Sequence, residues 1–78
     1  MRIGATALCK WVGEDDPIEY YFSFGEYNEE TEQDTFGVND DRIFFYCSEG
    51  DLLNMVGKMG EGWEVIRVLD YAEGGEGE

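Results

Sequence analysis

The chain has 78 residues, of which 19 are Asp or Glu and 5 are Lys or Arg, giving a formal net charge of −14 at pH 7. A chain this short forms one small domain that buries only about 60% of its unfolded surface, so a full core and a deep substrate pocket compete for the same side chains. It contains no His and no run approaching the roughly 18 apolar residues that cross a bilayer, which excludes a Ser-His-Asp or Cys-His nucleophile and argues against the usual zinc site.

In chain order, residues 1–12 alternate. Ile3, Ala5, Ala7, Cys9 and Trp11 share one face and Arg2, Gly4, Thr6 and Lys10 the other, as in a strand with one buried side. The same interruptions deny the start of the chain a signal peptide's apolar stretch, and the expected compartment is the cytoplasm. There, Cys9 and Cys47 are expected as buried free thiols rather than a disulfide. Gly13 to Pro17 breaks the strand. Residues 18–25 alternate again, with Ile18, Tyr20, Phe22 and Phe24 opposite Glu19, Tyr21 and Ser23, so an antiparallel hairpin is predicted.

Residues 26–41 are rich in charge and poor in apolar side chains, and read as a long acidic loop with Phe36 and Val38 as its anchors or as a short sheet extension. Arg42 to Cys47 is apolar on both faces, the pattern of a central strand. Ser48 is a predicted helix N-cap, with Asp51 three residues on to close a capping box. Leu52, Val56 and Met59, flanked by Leu53 and Met55, make the apolar stripe. Gly57 falls inside this helix and Gly60 is the expected left-handed stop. Trp63 to Tyr71 is the last strand, and 72–78 an acidic, Gly-rich tail with nothing to pack, expected to be disordered. The sum is an α+β fold over residues 1–71, of order β-β-β-α-β. About four strands make a mainly antiparallel sheet, with one helix on one face and the other face open.

The run Asp51 to Leu69 resembles a family of small bacterial and phage domains of unknown function, whose common stretch is a short helix, Gly-Trp-Glu and a strand. Leu53, Met59, Gly60, Gly62, Trp63, Glu64 and Val65 carry the match, over about a quarter of the chain. The resemblance implies the local fold and no chemistry. In packing terms, the glycines reverse the chain while Trp63 plugs the junction of helix and sheet.

Chemistry is otherwise scarce. Gly57, Gly60 and Gly62 lack the Lys-Ser/Thr of a phosphate loop. Glu14-Asp15-Asp16, Glu29 to Asp34 and Asn39-Asp40-Asp41 do not follow the twelve-residue calcium loop. No metal, no cofactor and no enzymatic activity are expected.

The charge is clustered. Between Lys10 and Arg42 there are eleven acids and no base. Like charge disfavours direct contact with nucleic acid or an anionic membrane and points to a basic protein surface, the commonest of which bind nucleic acid. The candidate partner-binding residues are Glu14, Asp15, Asp16, Glu26, Glu29, Glu30, Glu32, Asp34, Asp40 and Asp41. A chain of this length is on the order of 30 Å across, and 30 Å of duplex DNA carries roughly 18 charges, close to the −14 here. In size and charge alone the chain resembles the small acidic anti-CRISPR and anti-restriction proteins of phages. The expectation is therefore an inhibitor that occupies the nucleic-acid site of a defence effector by DNA mimicry. The alternative is a small structural or homo-oligomerising module, a homodimer for example, that uses the open sheet face and an aromatic such as Tyr21 or Tyr27.

Overall fold

The computed structural model describes residues 1–58 and 60–74. Two long strands, β1 (Arg2–Trp11) and β6 (Trp63–Glu73), frame the fold. Between them come β2 (Ile18–Ser23), two short strands β3 (Tyr27–Asn28) and β4 (Gln33–Asp34), a 3-10 turn (Asp40–Arg42), β5 (Phe45–Tyr46) and one helix, α1 (Glu49–Met55). The main sheet has the order β5-β2-β1-β6, and β3 pairs β4 separately. The class is α+β, with a mixed sheet of four strands and one helix. No helix among the described residues is long and apolar enough to cross a membrane.

The alternation in β1 has the expected consequence. Ala5, Ala7 and Cys9 are wholly buried, and with Phe22, Leu52 and Val65 they make the core. Two alanines there let Leu52 of α1 approach the sheet closely. Aromatic rings fill the rest. Tyr20 stacks on Phe44 at 4.2 Å between centroids, and Trp63 meets Phe44 edge-on at 5.4 Å. Such pairs add roughly 0.5–1.5 kcal/mol each beyond their buried area. The Trp11 indole N–H donates to the Tyr20 hydroxyl at 2.6 Å, so a half-buried polar atom is satisfied inside the cluster.

Several expectations are corrected. The sheet is mainly antiparallel as expected, with β1 antiparallel to both β2 and β6, but it is mixed: β5 lies parallel to β2, with Phe22 opposite Phe45 and Ser23 opposite Tyr46. Arg42 to Cys47 is not a central strand. Only Phe45 and Tyr46 pair, at the sheet edge, and the apolar character on both sides serves two surfaces. Phe45 lies within aromatic contact of Trp63, whereas Tyr46 pairs with Tyr27 on the opposite face. The helix is shorter than expected. Ser48 caps it as predicted, accepting the Asp51 N–H, but Val56 is already extended. Gly57, at φ +81°, takes the left-handed turn assigned to Gly60. Gly60 instead donates its N–H to the Trp63 carbonyl, and a Cβ there would come within 3.3 Å of the indole. Met59 and residues 75–78 lie outside the described residues. Ala72 and Glu73, expected in the tail, belong to β6.

β6 does not alternate simply. Opposite β1 it slips by one residue between Val65 and Arg67 and again between Val68 and Asp70. These bulges give Ile66 and Leu69 no direct partner. They also bring Val65, Val68 and Tyr71, spaced by three, opposite the buried residues Cys9, Ala7 and Ala5.

The face away from α1 is partly covered. Tyr21 lies across Gly4, where an added Cβ would collide with the tyrosine ring and come within 2.7 Å of the Phe22 carbonyl. Gly4→Ala is expected to cost about 1–3 kcal/mol, because the backbone carbonyl cannot yield as a flexible side chain would. A urea titration followed by tryptophan fluorescence measures it, and an unchanged midpoint would refute the close approach.

Candidate partner-binding surface

The acidic segment 26–41 is a folded feature rather than a loop. β3 and β4 pair Tyr27 with Asp34 and Asn28 with Gln33, and Glu29 to Glu32 form the connection. Asn28 Oδ1 accepts the Glu30 N–H at 3.0 Å, and Asn39 Oδ1 accepts the Asp41 N–H at 2.8 Å. These side-chain turns set the backbone locally, as Asn does well.

One carboxylate holds the whole segment. Asp34 is 4% exposed. Its Oδ1 accepts the N–H groups of Phe36 at 2.9 Å and Val38 at 2.8 Å, and its Oδ2 accepts the hydroxyl of Ser23, itself fully buried at the end of β2. Phe36 packs close to Gly25 and, with Val38, is half-buried, so both side chains anchor the segment as expected. Asp34 was a predicted contact residue, and the fold spends it internally.

The other predicted residues divide by position. Glu14, Asp15 and Asp16 are exposed in the β1–β2 turn; Glu26, Glu29, Glu30, Glu32 and Asp41 are exposed along the hairpin and the 3-10 turn. Asp40 is half-buried and accepts the Tyr46 hydroxyl at 2.6 Å. Glu32, Asp40 and Asp41 converge, with Tyr27, Thr31, Gln33 and Asn39, on a polar concavity of about 220 Å³. Next to it, Glu19 and Asp41 line a shallow cleft with Tyr21 and Arg42. Glu19 of β2 thus shares a cleft with Asp41 of the 3-10 turn, while the acids at 14–16 lie in the turn before β2 and those of the hairpin after it. Among the described residues, no group of three or more His, Cys, Asp or Glu is arranged to hold a metal ion.

The tyrosines register this field. The Tyr27 phenol is raised above its ordinary value, first by lost hydration and then by the charges of Asp40, Glu32 and Glu29. Tyr46 is raised by lost hydration, then by its hydrogen bond to Asp40. Burial pushes the thiols of Cys9 and Cys47, both free, up to about 11.

Glu32 has φ +55°, the left-handed region that Gly and Asn occupy at little cost. A carboxylate therefore stands where the backbone alone would favour another residue. Sequence reasoning did not find a second concavity of about 520 Å³ between β5 and α1, whose lining includes Phe45, Met55 and Trp63 with Asp51 and Lys58 at its margin. The available signal was the two-faced apolar run at 43–47, read instead as a central strand. No protein-family model, curated protein or solved structure matches the chain.

Four outcomes are expected. Asp34→Ala, which orphans a buried hydroxyl and two N–H groups, lowers stability by about 3 kcal/mol or more and exposes residues 27–38 to hydrogen exchange. Asp34→Asn loses less, since an amide can still accept from the backbone and donate to Ser23. Glu32→Gly raises stability by about 1 kcal/mol in the same denaturation assay. Finally, the neutral thiols and phenols are favoured in the fold, so the unfolded chain ionises first as pH rises. Stability should hold near neutrality and fall from about pH 9, the ordinary thiol value of 9.0, upward. A flat urea midpoint between pH 8 and about 10.5 would contradict this.

Proposed function

We propose that the chain is a non-enzymatic inhibitor that binds a basic, nucleic-acid-binding surface of another protein by presenting carboxylates in place of phosphates. The target class is a defence effector, as for the anti-CRISPR and anti-restriction proteins that the chain resembles in size and charge. The setting is the cytoplasm, and the run Asp51 to Leu69 is taken as kinship with small phage and bacterial domains.

The observation that carries this reading is the latch at Asp34. A segment that merely solvates a protein has no use for a buried carboxylate that sets its backbone. Here one acid is withdrawn from the surface and ties the segment that carries the exposed Glu26, Glu29, Glu30, Glu32 and Asp41 to the end of β2. Preorganised charge lowers the ordering cost of binding and speeds encounter with a basic partner. Dimensions agree with the mechanism. The molecule measures 40 × 24 × 18 Å, longer than expected for its length. Some 40 Å of duplex carries roughly 24 charges, and this chain brings −14 to the same span. The concavity at Glu32, Asp40 and Asp41 suits a lysine or arginine side chain, with the Tyr27 ring at its wall for a cation–π contact.

The test is capture from nuclease-treated bacterial lysate, followed by identification of the captured protein and displacement with duplex DNA. A nucleic-acid enzyme released by DNA and by raised salt is the expected result. The triple variant Glu29→Gln, Glu30→Gln and Glu32→Gln should keep or raise its thermal midpoint, since like charges are removed, yet lose the capture. Unaltered capture by that variant, or a partner indifferent to DNA, would overturn the mimicry.

A further inference from the structure

We propose that the outer edge of β6 pairs with the same edge of a second copy of this chain, across a twofold axis beside Leu69. This rests on the strand geometry and is independent of the acidic flank.

The edge is long and open. β6 is the outermost strand, and among the described residues the segment after α1 engages its backbone only at its start, where the Trp63 carbonyl accepts the Gly60 N–H and the Val65 carbonyl accepts the Gly57 N–H at 2.8 Å. From Ile66 to Glu73 no further strand pairs with this edge among the described residues, and the Tyr71 N–H is taken by the Asp70 carboxylate. Ile66 and Leu69, both at bulges, are each 38% exposed. A free strand edge is a template for another strand unless something blunts it. Here a generic regular strand is the wrong template, because the edge is bulged. A second copy carries the same irregularity.

The bulge at Leu69 decides the partner. In a regular strand, residues three apart lie on opposite faces. Here Arg67 stands opposite Leu8 and Asp70 opposite Thr6, and Leu8 and Thr6 share the face away from α1. The bulge therefore brings Arg67 and Asp70 to one face, two cross-strand steps apart. Antiparallel pairing about an axis between Val68 and Leu69 sets each Arg67 opposite the second copy's Asp70. The twofold makes this happen twice, as isologous interfaces require. Within one chain neither residue forms an ion pair among the described residues; Asp70 accepts only the Tyr71 N–H, at 2.9 Å.

The long-range electrostatics permit the approach. A net charge of −14 repels a second copy in general, but it is unevenly placed. β1 and β6 together carry Arg2, Lys10 and Arg67 against Glu64, Asp70 and Glu73, a neutral sum. The eleven acids between Lys10 and Arg42 belong to β2, the hairpin and their connections, on the opposite side of the strand order. Pairing through β6 would join the two neutral flanks into one eight-stranded sheet and leave both acidic flanks outermost.

Sedimentation velocity of the whole chain at near-physiological salt, from micromolar to submillimolar concentration, is the test. The native chain should show a concentration-dependent monomer–dimer equilibrium. Arg67→Asp and Asp70→Arg, each placing like charges opposite, should each weaken it on the order of tenfold. Mixing these two variants brings opposite charges together at both positions, so it should restore association as a heterodimer. Circular dichroism of each single variant confirms that it is folded. A chain that stays monomeric throughout the range, or a dimer indifferent to both reversals, would overturn the proposal, as would a mixture that associates no better than its components.

Discussion

The acidic half of this molecule depends on the burial of one carboxylate. Asp34 accepts two backbone N–H groups and the hydroxyl of a buried serine, and so ties residues 34–38 to the end of β2. A buried carboxylate is tolerable only when its lone pairs are taken up in this way. Its neighbours repel one another, so an untethered segment with this charge would expand away from the sheet. The latch opposes that expansion and docks the hairpin over the corner where Ser23 and Tyr46 stand side by side. Tyr46 adds a second tie through Asp40, and its ring pairs with Tyr27.

The fold separates two tasks across one sheet. β1 supplies small side chains to the core, which lets Leu52 and the aromatic cluster close over it with only seven residues of helix. β2 and β5 carry the hairpin on the other face. β6 runs along the far edge, where its charges and those of β1 together sum to zero, and has two bulges that reset which side chains turn inward. Charge is thus concentrated where the backbone is latched, and it is balanced where the backbone edge is open. That arrangement suits the proposed role of the acidic flank as a phosphate surrogate, since self-repulsion is kept away from the long β1–β6 ladder.

Arg2 shows how the few bases are used. Its guanidinium donates to Glu49 at 2.7 Å and lies 4.0 Å from the centre of the Tyr71 ring, so it joins the start of α1 to the end of β6. The hydrogen bond to Glu49 is the main reason its basicity is raised. At the other end of the helix, the Gly57 N–H reaches the Val65 carbonyl. The helix is therefore tied at both ends.

The sequence by itself determined the α+β class, the β1–β2 hairpin, the Ser48 cap and the inward residues of β1, because these follow from local period and capping within a few residues. It also determined that the charge is crowded into 14–41. It did not reveal that β5 is a parallel edge strand, since an apolar run looks the same whether sheet or aromatic cluster covers it. It did not reveal the bulges, because Trp63 to Tyr71 reads as a plain strand until the register against β1 is known. Nor did it separate Asp34 from the surface acids. All are carboxylates in a polar stretch, and only the tertiary structure, by bringing Ser23 across from β2, gives that one enough partners to be buried.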